Sequence, residues 1–383
     1  MRVCLFADFP VGALSGAGGG RGAGQMATWL PQLAEAFSAI PDMDIHWCAF
    51  SRELSRPRLE KRWGQSFHLL PGGSITTGLL SMRLLPRRAF RRVLRDIRPD
   101  VIHCWGTEKM YSAALWEFPG PAILSVQGIL TEYWKTGGMG GWRWWLLKTW
   151  EPRAIRRAGV VTSESNWGLA RIREIEAGVE TRLVEYGVAP GFYDVAWRPA
   201  PQAPRILFAG TLGLTKGFDI LLRMLRRHPV LPWTLVVAGD GPLAAALREL
   251  RHPSVEAPGL VTTERLQAEM SRAWALVLPS RADTSPNVVK EARVIGLPVV
   301  VSPHGGHAGY VENGVDGWVV SSEDPEEWFA ALNRICGGLE RAKAMGGARQ
   351  AFFREHFRPE HTAAGFAGLY RELASGRPAP PQV

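Results

Sequence analysis

Short apolar runs alternate with amphipathic segments along most of the chain. Runs typical of buried strands occur in the first half at Arg2–Ala7, Asp44–Ala49, Val101–Cys104, Ala122–Val126 and Val160–Thr162, and in the second half at Arg205–Phe208, Thr234–Ala238, Ala275–Leu278 and Pro298–Val301. Apolar strands separated by helical patterns predict a parallel sheet with helices on both faces. Because the alternation occurs twice, the sequence predicts two α/β domains.

A proline-containing segment without hydrophobic periodicity lies between the two patterns. It covers residues 189–204 and predicts a linker between a first domain at 1–188 and a second at 205–354. Ligands of open parallel sheets bind beyond the carboxyl ends of the strands. We therefore expect the two sheets to face one another across a cleft, with a different ligand on each wall.

Composition indicates a folded protein of a reducing compartment. The chain has 383 residues, of which 46% are apolar, enough for two buried cores. Its four cysteines are scattered without a C-x-x-C pair, which argues against a zinc cage or a disulfide framework. The N-terminus does not read as a secretory signal, and no stretch approaches the roughly 20 apolar residues of a spanning helix. We expect a cytoplasmic protein, soluble or peripheral to a membrane.

The segment Leu278–Val320 carries the strongest functional signal. An apolar strand leads into a polar loop with Asp283, and a helix predicted to begin near Pro286 carries Glu291. The N–H groups of a first helical turn lack intrahelical acceptors, so they form an anion site together with the helix dipole. Proline fits that turn because its missing N–H costs nothing there. Two carboxylates eight residues apart suit the vicinal hydroxyls of a sugar, although the spacing alone also fits a capped surface helix.

Five blocks of the second half resemble a known family. They are ILFAGTLGLTKGFDILL (206–222), VVAGDGP (236–242), GLVTTERL (259–266), the pair Asp283-x7-Glu291, and GVDGWVV (314–320). In this order they resemble the family-4 retaining glycosyltransferases (glycosyl transferases group 1) of the GT-B fold. The resemblance implies two doubly wound Rossmann-like domains facing across a cleft, with a C-terminal helix at about 355–375 crossing back to the first domain.

The same resemblance implies a reaction. A sugar from a nucleotide-diphosphate sugar, such as a UDP- or GDP-sugar, would pass to an acceptor hydroxyl on a glycan, glycolipid or polysaccharide precursor, with retention of anomeric configuration. Retaining members of this fold need no dedicated side-chain base, because a donor phosphate oxygen helps to remove the acceptor proton. Neither a cofactor nor a metal is expected.

The resemblance also assigns donor-binding residues: Gly210, Thr211, Lys216, Gly239, Gly241, Val261, Arg281, Ser285, Pro286, Asn287, Val288 and Glu291. Lys216 would meet the departing diphosphate, where cations and N–H donors stabilise the developing charge. Many relatives carry an arginine at the position of Thr211, so the phosphate-binding pair is incomplete here. Either Arg281 or Arg21 is a candidate for the second positive charge.

Catalytic roles are assigned to Lys216, Asp283 and His103. Asp283 replaces the first glutamate of the family and would contact the hexose. His103 ends the third predicted strand and is expected to face the cleft, where relatives often show H-x-H; here Trp105 takes the second position. A histidine at a strand end also fits a purely structural role. Glu108 is a secondary candidate in the cleft.

A glycine-rich stretch, Ser15–Gly24, follows the first strand. Glycines let the backbone approach an anion, so Gly18, Gly19, Gly20 and Arg21 are assigned to an acceptor and phosphate loop. A dinucleotide-binding reading of G-x-G-x-x-A is weaker, because the glycines start several residues after the strand and no ribose-binding acid ends the second strand. A loop without ligand contact is the remaining alternative.

The basic charge is concentrated in the first half. Seven arginines lie between Met82 and Asp100, and tryptophans alternate with basic residues between Tyr133 and Arg157. Such stretches suit an anionic membrane surface and a lipid-linked acceptor, or else a solvated helix face and a packed core. No nucleic-acid motif accompanies them. The D-x-D at Asp42–Asp44 precedes a strand, and we interpret it as a turn rather than a metal site.

Two other functions fit a GT-B chain. One is nucleotide-sugar epimerisation; a sugar phosphorylase is disfavoured because no convincing pyridoxal phosphate lysine motif is found. The other is non-catalytic binding of a nucleotide sugar, which would follow if the missing arginine at Thr211 prevents turnover. The sequence leaves the sugar, the base, the acceptor and the oligomeric state open.

Overall fold

The computed structural model describes residues 1–14 and 29–376, which form two parallel β-sheets flanked by helices. The strands of the first sheet are β1 (Arg2–Phe6), β2 (Asp44–Ser51), β3 (Arg58–Arg62), β4 (Gln65–Pro71), β5 (Val101–Trp105), β6 (Ala122–Ser125), β7 (Val160–Ser163) and β8 (Glu180–Leu183). Those of the second are β9 (Arg205–Ala209), β10 (Thr234–Ala238), β11 (Val255–Gly259), β12 (Ala275–Leu278), β13 (Val299–Val301) and β14 (Gly317–Val319).

Helices cover both faces of each sheet. Those of the first domain are α1 (Leu30–Phe37), α2 (Ile75–Leu80), α3 (Leu84–Ile97), α4 (Leu130–Lys135), α5 (Trp142–Arg157) and α6 (Asn166–Ile175). The remainder are α7 (Phe218–Arg227), α8 (Ala244–Leu250), α9 (Thr263–Arg272), α10 (Asn287–Ile295), α11 (Pro325–Cys336), α12 (Leu339–Gly347), α13 (Gln350–His356) and α14 (Pro359–Ser375).

The first sheet has the order β3-β4-β2-β1-β5-β6-β7-β8, and its strands are parallel except for the antiparallel pair β3–β4. Strand β1 lies between β2 and β5, with Val3 opposite both Ile45 and Val101. Strand order therefore reverses between β1 and β5, because β1 leads to β2 on one side and the chain later returns to add β5 on the other. Such a switch point opens a crevice at the carboxyl ends of the two strands.

The second sheet has the order β11-β10-β9-β12-β13-β14 and is parallel throughout. Its switch point lies between β9 and β12. The α/β class with two doubly wound Rossmann-like domains, predicted from the sequence, is confirmed. The physical reason is the burial of β6, β7, β12 and β13 on both faces, which produces continuous apolar runs.

Helix α14 returns from the second domain to the first. It packs against α1, and Ala363, Phe366, Leu369 and Tyr370 are buried in the core of the first domain. The segment 189–204 is not free of contacts, since Phe192 is buried in the second core and the Arg198 N–H donates to the Ser271 carbonyl at 2.8 Å. Two chain crossings therefore join the domains.

Candidate active site

The predicted donor-binding residues occupy loops at one edge of the second sheet, around its switch point. Gly210, Thr211 and Lys216 follow β9, Gly239 and Gly241 follow β10, Val261 follows β11, and Arg281, Asp283, Ser285 and Pro286 follow β12, while Asn287, Val288 and Glu291 lie on α10. Parallel strands end at the same edge, which is why residues from four separate blocks can share one crevice.

Close backbone contacts hold these loops together. A Cβ on Gly239 would lie 1.9 Å from the Gly210 carbonyl oxygen, and one on Gly217 would lie 1.8 Å from the Pro279 carbonyl oxygen. Gly217 also has φ 66°, a left-handed conformation that favours glycine. The start of α7 can thus lie directly against the loop after β12. This approach brings Lys216 to the acid on that loop.

Lys216 and Asp283 form an ion pair between the ammonium Nζ and the carboxylate Oδ2. The Lys216 side chain is 26% exposed and that of Asp283 is 9% exposed, so the carboxylate is largely buried while part of the lysine side chain remains accessible. The family resemblance predicts that Lys216 meets the diphosphate and Asp283 the hexose, and the fold places these two residues side by side. A ligand that meets one of them therefore meets both.

Helix α10 begins at Asn287, and Pro286 occupies the N-cap position, one residue before the predicted first turn. The Ser285 hydroxyl is 2.9 Å from the Tyr310 hydroxyl, which itself donates to the Glu164 carbonyl at 3.3 Å. These contacts fix the loop that precedes the helix. The N–H groups of the first turn lie on the same sheet edge as the Lys216–Asp283 pair, with the positive end of the helix dipole.

Arg281 does not offer a free charge to a phosphate. Its guanidinium makes two hydrogen bonds to Asp219, at 2.6 and 2.8 Å, and further bonds to Glu323 and to the Leu214 carbonyl. The hydrogen bonds to these two carboxylates raise the pKa of Arg281 above its ordinary value. These contacts hold the loop after β12 against α7 and the segment before α11, and the assignment of Arg281 as the second phosphate cation stays a prediction.

Sequence reasoning missed a buried ion pair beside this site. Lys290 on α10 is fully buried, and its ammonium lies 3.0 Å from the carboxylate of Glu164 and 3.1 Å from the Tyr186 carbonyl. Glu164 follows β7, so the pair joins α10 of the second domain to the first domain. The only signal in the sequence is a lysine that directly follows Val288 and Val289, in a segment that also carries Glu291 and Arg293.

Two family models match the chain. The model described as Glycosyltransferase Family 4 matches residues 26–190, and the model described as Glycosyl transferases group 1 matches residues 203–337. The chain belongs to glycosyltransferase family 4. The match at 26–190 extends the family assignment to the N-terminal half. The five sequence blocks that resemble the family all lie in the C-terminal half.

Curated relatives of this family-4 protein match parts of it. A D-inositol 3-phosphate glycosyltransferase of Xylanimonas cellulosilytica is 32% identical over 46% of the chain and 44% of the relative. A GDP-mannose-dependent alpha-mannosyltransferase of Corynebacterium glutamicum is 25% identical over 64% of the chain and 61% of the relative. The chain thus spans about half the length of the curated relatives that it matches.

Solved structures share the whole fold. A sucrose-phosphate synthase from Thermosynechococcus elongatus superposes with a TM-score of 0.79, at 18% identity, over 98% of this chain and 100% of the other. Anabaena HepE in complex with UDP and glucose gives a TM-score of 0.68 at 15% identity, over 97% and 100%. At these identities the likeness concerns the fold, and it confirms the predicted GT-B architecture.

The expectation that His103 faces the cleft of this family-4 protein is wrong. The imidazole is fully buried, 2.8 Å from the Tyr370 hydroxyl and 2.6 Å from the Ser125 hydroxyl, and it stacks on Trp105. Burial lowers the pKa of His103 well below its ordinary value. The physical reason is α14, whose tyrosine covers the position, so His103 is part of the first core.

The glycine-rich loop and the D-x-D motif lie apart from the donor-binding loops in sequence. Gly18, Gly19, Gly20 and Arg21 lie outside the described residues. Asp42 lies in a turn with φ 64°, and Asp44 opens β2 in an ion pair with Arg2 at 3.2 Å. Within residues 1–14 and 29–376, no group of three or more His, Cys, Asp or Glu side chains could hold a metal ion.

Burial of Glu164 predicts a pH-dependent stability. Desolvation raises the pKa of this carboxyl to about 7 from an ordinary 4.5, although Lys290 opposes the shift. The folded protein therefore holds a proton that the unfolded chain releases between these values. The stabilisation is fully present below pH 4.5 and is lost as the pH rises through 7, by roughly 3 kcal/mol. Urea unfolding of wild type and Glu164→Gln from pH 4.5 to 8 measures it; parallel profiles would contradict the account.

Proposed function

We propose that this protein transfers a sugar from a nucleotide-diphosphate sugar to an acceptor hydroxyl, with the donor bound at the switch point of the second sheet. The observation that carries the proposal is the convergence there of Lys216, Asp283 and the N-terminus of α10. An ammonium and a row of N–H groups suit a diphosphate, and a carboxylate suits sugar hydroxyls.

Stabilisation of the leaving group is the main work of this site. Cleavage of the anomeric C–O bond leaves negative charge on the nucleoside diphosphate, and donors already in place stabilise that charge without reorganisation. Lys216 is held towards the crevice by Asp283, so its ammonium is positioned before the donor arrives. Asp283 then contacts the hexose, and Glu291, partly exposed on the next turn of α10, contacts the ribose.

Retention of anomeric configuration is part of the proposal. The acceptor hydroxyl attacks from the face that the diphosphate leaves, and a phosphate oxygen of the donor receives its proton, so no side-chain base is required.

Incubation with UDP- and GDP-sugars tests the function. The curated Corynebacterium relative is named for GDP-mannose and the Anabaena structure contains UDP, so both bases are to be tried. Without an acceptor, we expect slow transfer of the sugar to water, which releases nucleoside diphosphate and, from an α-linked donor, the α-anomer of the free sugar, identified by NMR before mutarotation. First formation of the β-anomer would contradict retention, and no release from any donor would contradict the transferase function.

Non-catalytic binding of a nucleotide sugar is the second candidate. It is favoured by Thr211 at the position of the family arginine and by the pairing of Arg281 with two acids, which leave the phosphate site short of one cation. A binder would be stabilised by the nucleotide without releasing it from the sugar. The release assay therefore separates the two functions.

The acceptor is proposed to be a glycan or a lipid-linked precursor reached at the cytoplasmic face of an anionic membrane. No helix of residues 1–14 or 29–376 is long and apolar enough to cross a bilayer. Contact with lipid would then be peripheral, through the basic helix α3 and the tryptophans of α5, which lie in the first domain.

A further inference from the structure

A polar cavity of about 240 Å³ lies at the switch point of the first sheet. It is bounded by residues that follow β1, β2, β4 and β5, among them Asp8, Arg52 and Lys109. Lys109 pairs with Asp8, whose carboxylate also accepts from the Tyr111 hydroxyl at 3.3 Å. Two cations against one acid give the lining a net positive charge, which suits an anionic group on the ligand.

An apolar groove continues from this cavity. The groove has a volume of about 190 Å³ and shares Phe50, Gly72, Gly73 and Met110 with the cavity. Its other walls are formed by Pro71 and by residues of α2 and α3, and none of the side chains that line it is charged. A polar cavity joined to an apolar groove matches a ligand with a charged head and a hydrocarbon chain.

The far end of the groove opens beside an exposed apolar surface. Leu85 lines the groove and is 53% exposed, and next to it Leu80 and Met82 are 72% and 78% exposed. Met82 has φ 48°, in a tight turn between α2 and α3 that leaves its side chain outside the core. Across α2, Trp142 at the start of α5 is 53% exposed. Large apolar side chains exposed together mark a binding surface.

The surroundings of this surface are basic. Arg88, Arg92 and Arg95 are exposed on α3, and α5 is attached to α2 by a hydrogen bond of 3.1 Å from Arg143 to Thr76. Exposed leucine, methionine and tryptophan beside arginines complement an anionic lipid surface. A hydrocarbon chain that enters the groove at Leu85 would therefore come from a bilayer.

We propose that the acceptor of this protein is an amphiphile, with its anionic head in the cavity at Arg52 and Lys109 and its hydrocarbon chain in the groove between α2 and α3. The inference rests on the proposed transferase function, because the cavity belongs to the first domain whereas the proposed donor site belongs to the second. It specifies that the acceptor is a lipid-linked molecule rather than a free glycan.

Binding of matched phosphates to the full chain tests the proposal. Dodecyl phosphate, kept below its micelle concentration, and methyl phosphate carry the same head and differ in the chain. Each buried methylene tightens binding about fourfold, so calorimetry is expected to show dodecyl phosphate binding at least about 100-fold tighter. Equal affinities for the two phosphates would overturn the proposal.

Two tryptophan variants locate the chain. Thr77 is exposed on α2 and lines the groove, whereas Leu80 is exposed on the same helix and does not line it. We expect Thr77→Trp to weaken dodecyl phosphate binding about tenfold or more by filling the groove, and Leu80→Trp to change it by less than about twofold. Equal weakening in both variants, or none in either, would show that the chain does not lie between α2 and α3.

The head site is tested separately. Arg52 is exposed at the cavity, and Arg52→Gln is expected to weaken dodecyl and methyl phosphate by the same factor. Titration of the wild type with UDP and GDP distinguishes failure of the amphiphile site from failure of the proposed transferase function. Nucleotide binding without a preference for the long chain would overturn the amphiphile alone. A long-chain preference without nucleotide binding would overturn the transferase function and keep the amphiphile site.

Discussion

Replacement of Lys216 by methionine is expected to lower kcat for cleavage of the nucleotide sugar by about 10² to 10³-fold, the effect of removing one preorganised charge-stabilising donor. Methionine keeps most of the length of the side chain and removes the ammonium, and the position is only 26% exposed, so packing is largely preserved. The loss should fall on kcat more than on KM, since charge on the diphosphate develops in the transition state. Steady-state release of nucleoside diphosphate measures it.

Lys343→Met is the matched control for this prediction. Lys343 also pairs with an acid in the second domain, Glu340, at 3.0 Å, but at an exposed site on α12. The control should keep wild-type kcat. Asp283→Asn separates the two members of the functional pair: it should weaken sugar contact while the ammonium remains. An unchanged kcat in Lys216→Met would remove this residue from the mechanism.

Replacement of Lys290 by methionine is expected to lower the free energy of unfolding by about 3 to 5 kcal/mol at pH 8. Glu164 would then lose the ammonium that opposes its desolvation, so ionisation of this buried carboxyl would cost more, and the link between α10 and the first domain would be lost. The effect should be smaller at pH 5, where Glu164 holds a proton, because burial raises the pKa of this carboxyl to about 7. Urea unfolding at the two pH values measures both.

The double variant Lys290→Met with Glu164→Met replaces both charges by apolar side chains of similar volume and should recover most of the lost stability, because no buried charge is left without a partner. Lys343→Met again serves as the control, since an exposed pair contributes about 0 to 1 kcal/mol. A loss below about 1 kcal/mol in Lys290→Met at pH 8, or no recovery in the double variant, would contradict the role of this ion pair.

The central strands could be predicted because a strand buried on both faces requires an uninterrupted run of apolar residues. Strand β12 is an example. The strands that were missed lie at or near sheet edges, where one side is solvated: β3 reads RLEKR and β11 reads VEAPG with mostly exposed residues. Strands with so few buried positions show no apolar run, and cross-strand packing rather than local pattern stabilises them.

The candidate site could be predicted only in outline. The loops were found because their sequence blocks resemble those of a known family, but contacts between distant residues were not: Lys216 and Asp283 are 67 positions apart, and Lys290 meets an acid 126 positions away. His103 was misplaced because α14, which covers it, belongs to the far end of the chain. In each case the error concerns a long-range contact made by a polar side chain.

A crystal structure of the protein soaked with the nucleotide sugar that it cleaves is the most direct test of the account. Density for the diphosphate between the Lys216 ammonium and the first turn of α10, with the hexose at Asp283, is the predicted result. Density for the nucleotide in the first domain, or a crevice at β9 and β12 that stays empty while the same ligand stabilises the protein, would contradict it.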